Sequence, residues 1–304
     1  MPQEINLTPT GSFLEIVPED ESSNGQRADG RKGYQALVLT GRTWGTATEC
    51  RAACLLIHGL GAHSGWFEAL GRRLKVRQLL ALAYDQVGFG RRNDQQFMSG
   101  KQWLEDAVRA YDYLRDLVGD KPIYVMGNSM GALVALRIAH QVKPAGVVLF
   151  SPGFDGHPET FHWQYRLRTI WTALTSPETE VALPYAVDMV TREVGVRKWL
   201  EADPERRFKL PAKMMLELLK LSRDVQTRVK SAPCPVLMFT AGVERIVNNT
   251  VSEAVFDRLT CPAKHKHHYP EAWHDLMFDP VLDHLCDRTL EWIAETAPNK
   301  LIAG

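Results

Sequence analysis

Residues 123–139 read IYVMGNSMGALVALRIA, and this stretch decides the fold class. Ile123–Met126 is an apolar run of strand length, and Ala132–Ala139 has the composition of a helix. Between them, residues 127–131 (GNSMG) match the pattern G-x-S-x-G, in which a serine occupies a tight strand-to-helix turn. The flanking glycines remove Cβ atoms that would collide with neighbouring backbone. The stretch therefore predicts a serine hydroxyl, that of Ser129, above a sheet at the start of a helix, where free N–H groups favour developing negative charge.

The same alternation of strand, glycine-rich turn and helix extends along the chain. The apolar runs are Cys54–His58, Leu79–Tyr84, Ile123–Met126, Gly146–Phe150 and Val236–Thr240. Trp66–Leu74 and Trp103–Val118 have the spacing of amphipathic helices. This pattern predicts an α/β fold with a mostly parallel central sheet flanked by helices. Near the N-terminus, Phe13–Val17 and Tyr34–Leu39 alternate like antiparallel strands, with an exposed connection over Pro18–Gly33.

The alternation stops between residues 154 and 232. This segment contains six aromatic residues of note, Trp163, Tyr165, Trp171, Tyr185, Trp199 and Phe208. Prolines divide it into short helical pieces such as Ala212–Leu221. One crossover needs far fewer residues, so we predict an inserted helical cap (154–232) between two parts of a core, 1–153 and 233–304. Ordinary crossover helices are the alternative.

Composition excludes several classes of protein. The 36 basic residues balance the 36 acidic ones, so a nucleic-acid partner is not expected. No apolar run reaches the roughly 18 residues of a membrane-spanning helix. The N-terminal residues lack the features of a secretory signal, which predicts a cytoplasmic location. The five cysteines include no C-x-x-C pair, so a disulfide framework is not expected.

A serine hydroxyl is a weak nucleophile and needs a neighbouring histidine that is held by a carboxylate. His274 follows Lys264–Tyr269, whose alternation predicts a late strand. The turn after the preceding strand contains one carboxylate, Glu244. We predict a catalytic triad of Ser129, Glu244 and His274. The alternative for Glu244 is a pairing with Arg245 or with solvent.

The oxyanion of an acyl-transfer reaction needs two N–H donors. The backbone N–H of Met130 follows the nucleophile directly, and Leu60, between two glycines in the loop after an earlier strand, is the second candidate. His58 is expected to brace this loop rather than to transfer protons. The aromatic residues of the cap are expected to line an apolar pocket together with three methionines, Met189, Met214 and Met215. The alternative is that these residues only pack the cap against itself.

With these residues the chain resembles the α/β-hydrolase superfamily, and within it the monoglyceride lipase and lysophospholipase group, also grouped with serine aminopeptidase-like hydrolases. The resemblance lies in residues 58–67 (HGLGAHSGWF), 85–90 (DQVGFG), 127–131 (GNSMG), 242–247 (GVERIV) with Asn249, and 269–274 (YPEAWH). The order serine, carboxylate, histidine is also that of the superfamily. The resemblance implies cleavage of carboxylic esters, often lipid-like, through an acyl-enzyme under a mobile helical cap.

The chain departs from this group at two places. Relatives usually have aspartate at the position of Glu244, and a small polar residue where Arg91 and Arg92 follow residue 90. The two arginines are candidates for binding a substrate carboxylate or phosphate, with a solvated loop as the alternative.

The predicted function is therefore that of a serine hydrolase for esters with an apolar acyl group, such as a monoacylglycerol or lysophospholipid. The alternatives are hydrolysis of another carbonyl bond, acyl transfer on the same triad, or a catalytically silent ligand-binding member. No cofactor is required, and His265, His267 and His268 have no familiar zinc spacing. The predicted partner is a small-molecule or lipid-like ester, with transient membrane-surface contact through the cap; the sequence does not predict an oligomeric state.

Overall fold

The computed structural model describes residues 10–16 and 38–296. Its strands are β1 (Ser12–Ile16), β2 (Leu39–Trp44), β3 (Ala52–Ile57), β4 (Leu79–Tyr84), β5 (Ile123–Asn128), β6 (Gly146–Phe150), β7 (Glu180–Ala182), β8 (Lys209–Pro211), β9 (Val236–Val243) and β10 (Lys264–Trp273). Eight of them form one sheet in the order β1-β2-β4-β3-β5-β6-β9-β10. The six strands β4, β3, β5, β6, β9 and β10 pair in parallel. Strand β2 pairs antiparallel with β4 on one side and with β1 on the other. The predicted mostly parallel sheet is confirmed.

Helices cover both faces of this sheet, which explains why its central strands are apolar on both sides. The core helices are α1 (Glu68–Val76), α2 (Lys101–Val118), α3 (Met130–Val142), α8 (Asn249–Arg258) and α9 (Leu282–Thr296). Residues of α1 and α9 pack in one hydrophobic cluster, and residues of α2, α3 and α8 pack in another across the sheet. Every residue of β3, β4, β5 and β6 is buried.

Of the predicted second strand, Tyr34–Leu39, only Val38 and Leu39 belong to the described residues. Leu39 is the first residue of β2, which the sequence did not predict beyond that residue. The predicted connection over Pro18–Gly33 also lies outside the described residues. Strand β2 continues through the polar sequence TGRT, so a search for apolar runs does not predict it. Gly41 is required there, because a Cβ would lie 2.3 Å from the carbonyl oxygen of Ala83 on β4.

The segment predicted as the cap lies between β6 and β9. It contains α4 (Trp163–Thr175), α5 (Val187–Val190), α6 (Val194–Ala202) and α7 (Ala212–Arg228), and the short antiparallel ribbon of β7 and β8, which the sequence did not predict. Helix α7 extends seven residues beyond the predicted end at Leu221. Among the described helices, none is both long and apolar enough to cross a membrane.

Candidate active site

Ser129 occupies the turn between β5 and α3. Its backbone angles are φ 52° and ψ −114°, a strained conformation for a residue with a side chain. A Cβ on Gly127 would lie 2.3 Å from the carbonyl oxygen of Gly131, and a Cβ on Gly131 would lie 2.0 Å from that of Ile57. Both glycines of the G-x-S-x-G pattern are therefore required by sterics, because the turn packs against its own helix and against β3.

Glu244 follows the last residue of β9, and its carboxylate is buried. Oε1 accepts hydrogen bonds from the backbone N–H groups of Ile246, at 2.7 Å, and Val247, at 3.1 Å. Oε2 lies 2.8 Å from Nδ1 of His274. These three contacts occupy both oxygens, and within the described chain the alternative pairing with Arg245 is not observed. The carboxylate is thus held in one orientation, facing the histidine.

His274 follows the last residue of β10 and is buried. An ionised carboxylate can only accept, so Nδ1 donates to Glu244 and Nε2 is left as a proton acceptor. Burial lowers the pKa of His274, but the charge of Glu244, its hydrogen bond and the nearby Asp275 carboxylate together outweigh burial and raise it. The imidazolium is therefore stabilised, as a general base requires.

The structure brings Ser129 and His274 to the same edge of the sheet through their sequence neighbours. The side-chain amide of Asn128 donates to the Asp275 carboxylate at 3.2 Å. No hydrogen bond joins the Ser129 hydroxyl to His274 in the described part of the chain. Such contacts often tighten when a substrate binds, so the geometry is compatible with the predicted triad.

Leu60 and Met130, the predicted oxyanion donors, line one cavity together with Ser129. The N–H of Met130, the first residue of α3, has no acceptor within its helix. His58 lies beside them: its Nε2 accepts from the backbone N–H of Gln86, so its Nδ1 donates to the carbonyl oxygen of Gly59 at 2.8 Å. Burial lowers the pKa of His58 to about 4, although the Gly59 bond opposes this. His58 is a neutral brace of the loop, as predicted.

The cavity holds about 670 Å³ of empty space, part of it open to solvent. Its apolar wall comes from residues 154–232, the predicted cap, and from the turn after β9, and consists of Phe161, Tyr165, Tyr185, Met215, Leu218, Leu219, Ile246 and Val247. Of the three predicted methionines, one lines the cavity, Met215. Met214 is buried beside Gly88, and Met189 packs in a cluster with Trp66 and Phe278. Successive residues on a helix point in different directions, so Met214 and Met215 face different surroundings.

The structure does not bring Arg91 and Arg92 to the cavity. Arg92 is buried, and its Nη1 lies 2.6 Å from the Asp106 carboxylate. The Nε of Arg91 lies 3.0 Å from the Glu205 carboxylate, and its guanidinium lies over the ring of Phe13. The predicted anion-binding role is therefore not supported, because both arginines already pair with acidic side chains of the protein.

The sequence singled out the cap aromatics as a group but could not sort them. Tyr165 and Tyr185 line the cavity, whereas Trp163 and Trp171 are exposed to solvent. Sequence reasoning also missed Asp275, whose burial raises its pKa to about 6. The only signal in the sequence that could have indicated Asp275 is its position directly after His274.

The sequence model of the family described as Hydrolase_4, serine aminopeptidase S33, matches residues 48–281. A monoacylglycerol lipase from Mycolicibacterium smegmatis is 25% identical over 272 residues, covering 86% of this chain and 94% of the relative. The monoglyceride lipase of Homo sapiens is 24% identical over 247 residues, covering 77% and 79%.

Solved structures show the same fold. A soluble variant of monoglyceride lipase from Saccharomyces cerevisiae, in complex with a substrate analog, superposes with a TM-score of 0.78 at 17% identity. The superposition covers 88% of this chain and 94% of the yeast chain. Because the family match spans most of the sequence, the protein belongs to the serine aminopeptidase S33 family and has the predicted α/β-hydrolase fold.

Proposed function

We propose that the protein hydrolyses esters with an apolar acyl group, with monoacylglycerols and related lipid-like esters as the substrate class. It is a carboxylic ester hydrolase, as its family and its lipase relatives indicate. The observation on which the proposal depends is the buried His274–Glu244 pair beside an apolar cavity that contains Ser129. The same site supports the assignment of the triad.

The reaction begins when Nε2 of His274 takes the proton of the Ser129 hydroxyl. The alkoxide attacks the ester carbonyl, and the N–H groups of Leu60 and Met130 stabilise the oxyanion. His274 then gives the proton to the leaving alcohol, and an acyl-enzyme forms on Ser129. A water molecule, activated by the same histidine, hydrolyses the acyl-enzyme. Glu244 stabilises the imidazolium in both steps.

The cavity favours an apolar acyl chain because aliphatic and aromatic side chains make up most of its wall. We expect kcat/KM for p-nitrophenyl esters to rise from acetyl towards medium chains, by up to about fourfold per methylene buried. The increase should stop when the cavity is filled. Initial rates over a series from acetyl to dodecanoyl, with 1-monoacylglycerols of the same chains, measure this.

Two outcomes of that series would contradict the proposal. One is a steady decline in kcat/KM as the acyl chain lengthens from acetyl, which would show that the cavity does not bind an apolar acyl chain. The other is faster cleavage of the matching p-nitroanilides than of the esters, which would favour another carbonyl bond as the natural target.

Helix α4 offers a surface for contact with lipid. Trp163, Leu167, Trp171 and Leu174 lie along one side of it and are 68%, 58%, 68% and 69% exposed. Their spacing of four, four and three residues places them on a single face. Residues of another face of α4, including Tyr165 and Thr169, line the cavity. Insertion of the exposed face into a membrane surface would therefore place the cavity next to lipid esters.

We expect the double substitution Trp163→Ser and Trp171→Ser to weaken binding to phosphatidylcholine vesicles by about tenfold or more, since two large apolar side chains no longer enter the interface. Co-sedimentation with vesicles measures the binding. Hydrolysis of soluble p-nitrophenyl acetate should change little. The matched control replaces two exposed apolar residues of the core, Val76→Ser and Leu117→Ser, which should leave binding intact. Equal losses in both double variants would disprove docking through α4.

A further inference from the structure

Three consecutive carbonyl groups of the oxyanion loop, residues 58–62, are held by hydrogen bonds. The Gly59 oxygen accepts from His58 Nδ1 at 2.8 Å and from the Ala62 N–H at 3.3 Å, both within the core. The Leu60 oxygen accepts from the Tyr185 hydroxyl at 2.8 Å. The Gly61 oxygen accepts from the Arg207 N–H at 3.0 Å. Tyr185 and Arg207 belong to the cap segment, so hydrogen bonds from both the core and the cap hold the loop in place.

The cap backbone also lies directly against this loop. Gly61 has φ +76°, and a Cβ there would lie 2.7 Å from the carbonyl oxygen of Arg207. A peptide unit that is held at its oxygen cannot rotate, so the bonds to Leu60 and Gly61 restrict ψ at both residues. Leu60 supplies one of the two proposed oxyanion donors, and its N–H is separated from the carbonyl that Tyr185 holds by only two bonds of the main chain.

Tyr185 is suited to this restraint. Its ring lines the cavity, and its hydroxyl reaches across the wall to the Leu60 carbonyl. Burial raises the pKa of the hydroxyl, so that it stays protonated and able to donate. Because this carbonyl is partly buried, leaving it unpaired would be costly, which favours the bonded conformation of the loop.

We propose that Tyr185 is a positioning residue of the oxyanion hole: by holding the Leu60 carbonyl, it keeps the Leu60 N–H directed at the oxyanion beside Ser129. This inference rests on the proposed function. It makes the cap part of the catalytic apparatus as well as the wall of the acyl site. A displacement of the cap that removes Tyr185 from Leu60 would then weaken oxyanion stabilisation before the triad itself is disturbed.

The test compares Tyr185→Phe with Thr191→Val. Thr191 also belongs to the cap and donates its hydroxyl to a core carbonyl, that of Phe278 at 3.1 Å, but it does not line the cavity. Removing a direct oxyanion donor costs about 10²- to 10³-fold in kcat, so loss of a positioning bond should cost about tenfold in Tyr185→Phe. KM for p-nitrophenyl butyrate should stay near that of the wild type. Thr191→Val should keep kcat within about twofold, although it also loses a buried hydrogen bond.

Two further readouts separate positioning from a general loss of structure. Affinity for an alkyl boronic acid, whose tetrahedral adduct places an oxygen in the oxyanion hole, should fall in Tyr185→Phe by the same factor as kcat/KM. Amide hydrogen exchange over residues 58–64 should be faster in this variant than in Thr191→Val.

The outcomes are distinct. Equal kcat values in the two variants would overturn the inference, and so would a raised KM with unchanged kcat in Tyr185→Phe, because the hydroxyl would then bind substrate and not the loop. If the wild type neither hydrolyses esters nor reacts with a fluorophosphonate, the proposed function fails and this inference fails with it. An active wild type with an unaffected Tyr185→Phe variant contradicts only the inference.

Discussion

Replacement of Ser129 with alanine is expected to lower kcat for ester hydrolysis by about 10⁵-fold or more, because it removes the hydroxyl on which the proposed acyl-enzyme forms. The backbone of the turn tolerates alanine as well as serine, so the variant should fold normally. Initial rates with p-nitrophenyl butyrate and labelling by a fluorophosphonate probe measure the effect. Labelling should disappear, since the probe reacts with the activated hydroxyl.

Ser151 provides a matched control for this variant. It is a second buried serine at positive φ, directly after the neighbouring strand β6, and its hydroxyl has no partner in the described structure. Ser151→Ala should retain both turnover and labelling. Labelling that persists in Ser129→Ala but disappears in Ser151→Ala would identify Ser151 as the nucleophile and would contradict the proposed mechanism.

The second large effect concerns Glu244→Gln, for which we expect kcat to fall by about 10³- to 10⁴-fold. A glutamine would keep an oxygen facing the N–H groups of Ile246 and Val247 and would turn its NH₂ towards His274. Nδ1 would then have to accept, so the proton would move to Nε2, where it blocks the abstraction of a proton from Ser129. Glu244→Asp keeps the charge and serves as the control, with an expected loss that is much smaller than that of Glu244→Gln.

The pH profile gives a second measure of the same carboxylate. Wild-type activity should fall on the acidic side as His274 becomes protonated, because the imidazolium cannot act as a base. Glu244 raises the pKa of His274, so its neutralisation should move the acidic limb of the kcat/KM profile to lower pH. Near-normal turnover of Glu244→Gln would show that another carboxylate holds the imidazole; Asp275, directly beside His274, would be the first to examine.

Much of the candidate site was predictable from the sequence because its constraints are local or follow from strand ends. The two glycines around Ser129 are dictated by contacts within a five-residue turn and with β3. Glu244 and His274 follow the ends of adjacent parallel strands, which places them at one edge of the sheet. The apolar runs also predicted most of the central strands. The polar strand β2 was missed, since its buried Arg42 is compensated by Phe13 and Glu205, which no pattern within β2 reveals.

The amino-acid sequence by itself determined the α/β architecture, the strained serine turn and the identities of the three predicted catalytic residues. The reason is that short-range sterics and strand periodicity depend on residues that are close together in the chain. Only the tertiary structure decided that Asp106 and Glu205 occupy the two arginines, that Met215 and not Met214 or Met189 faces the cavity, and that Tyr185 holds Leu60. Each of these contacts joins residues that are not neighbours in the chain, and all of them except the Arg92–Asp106 pair depend on how residues 154–232 pack against the rest of the molecule. The periodicity of strands and helices does not reveal such packing.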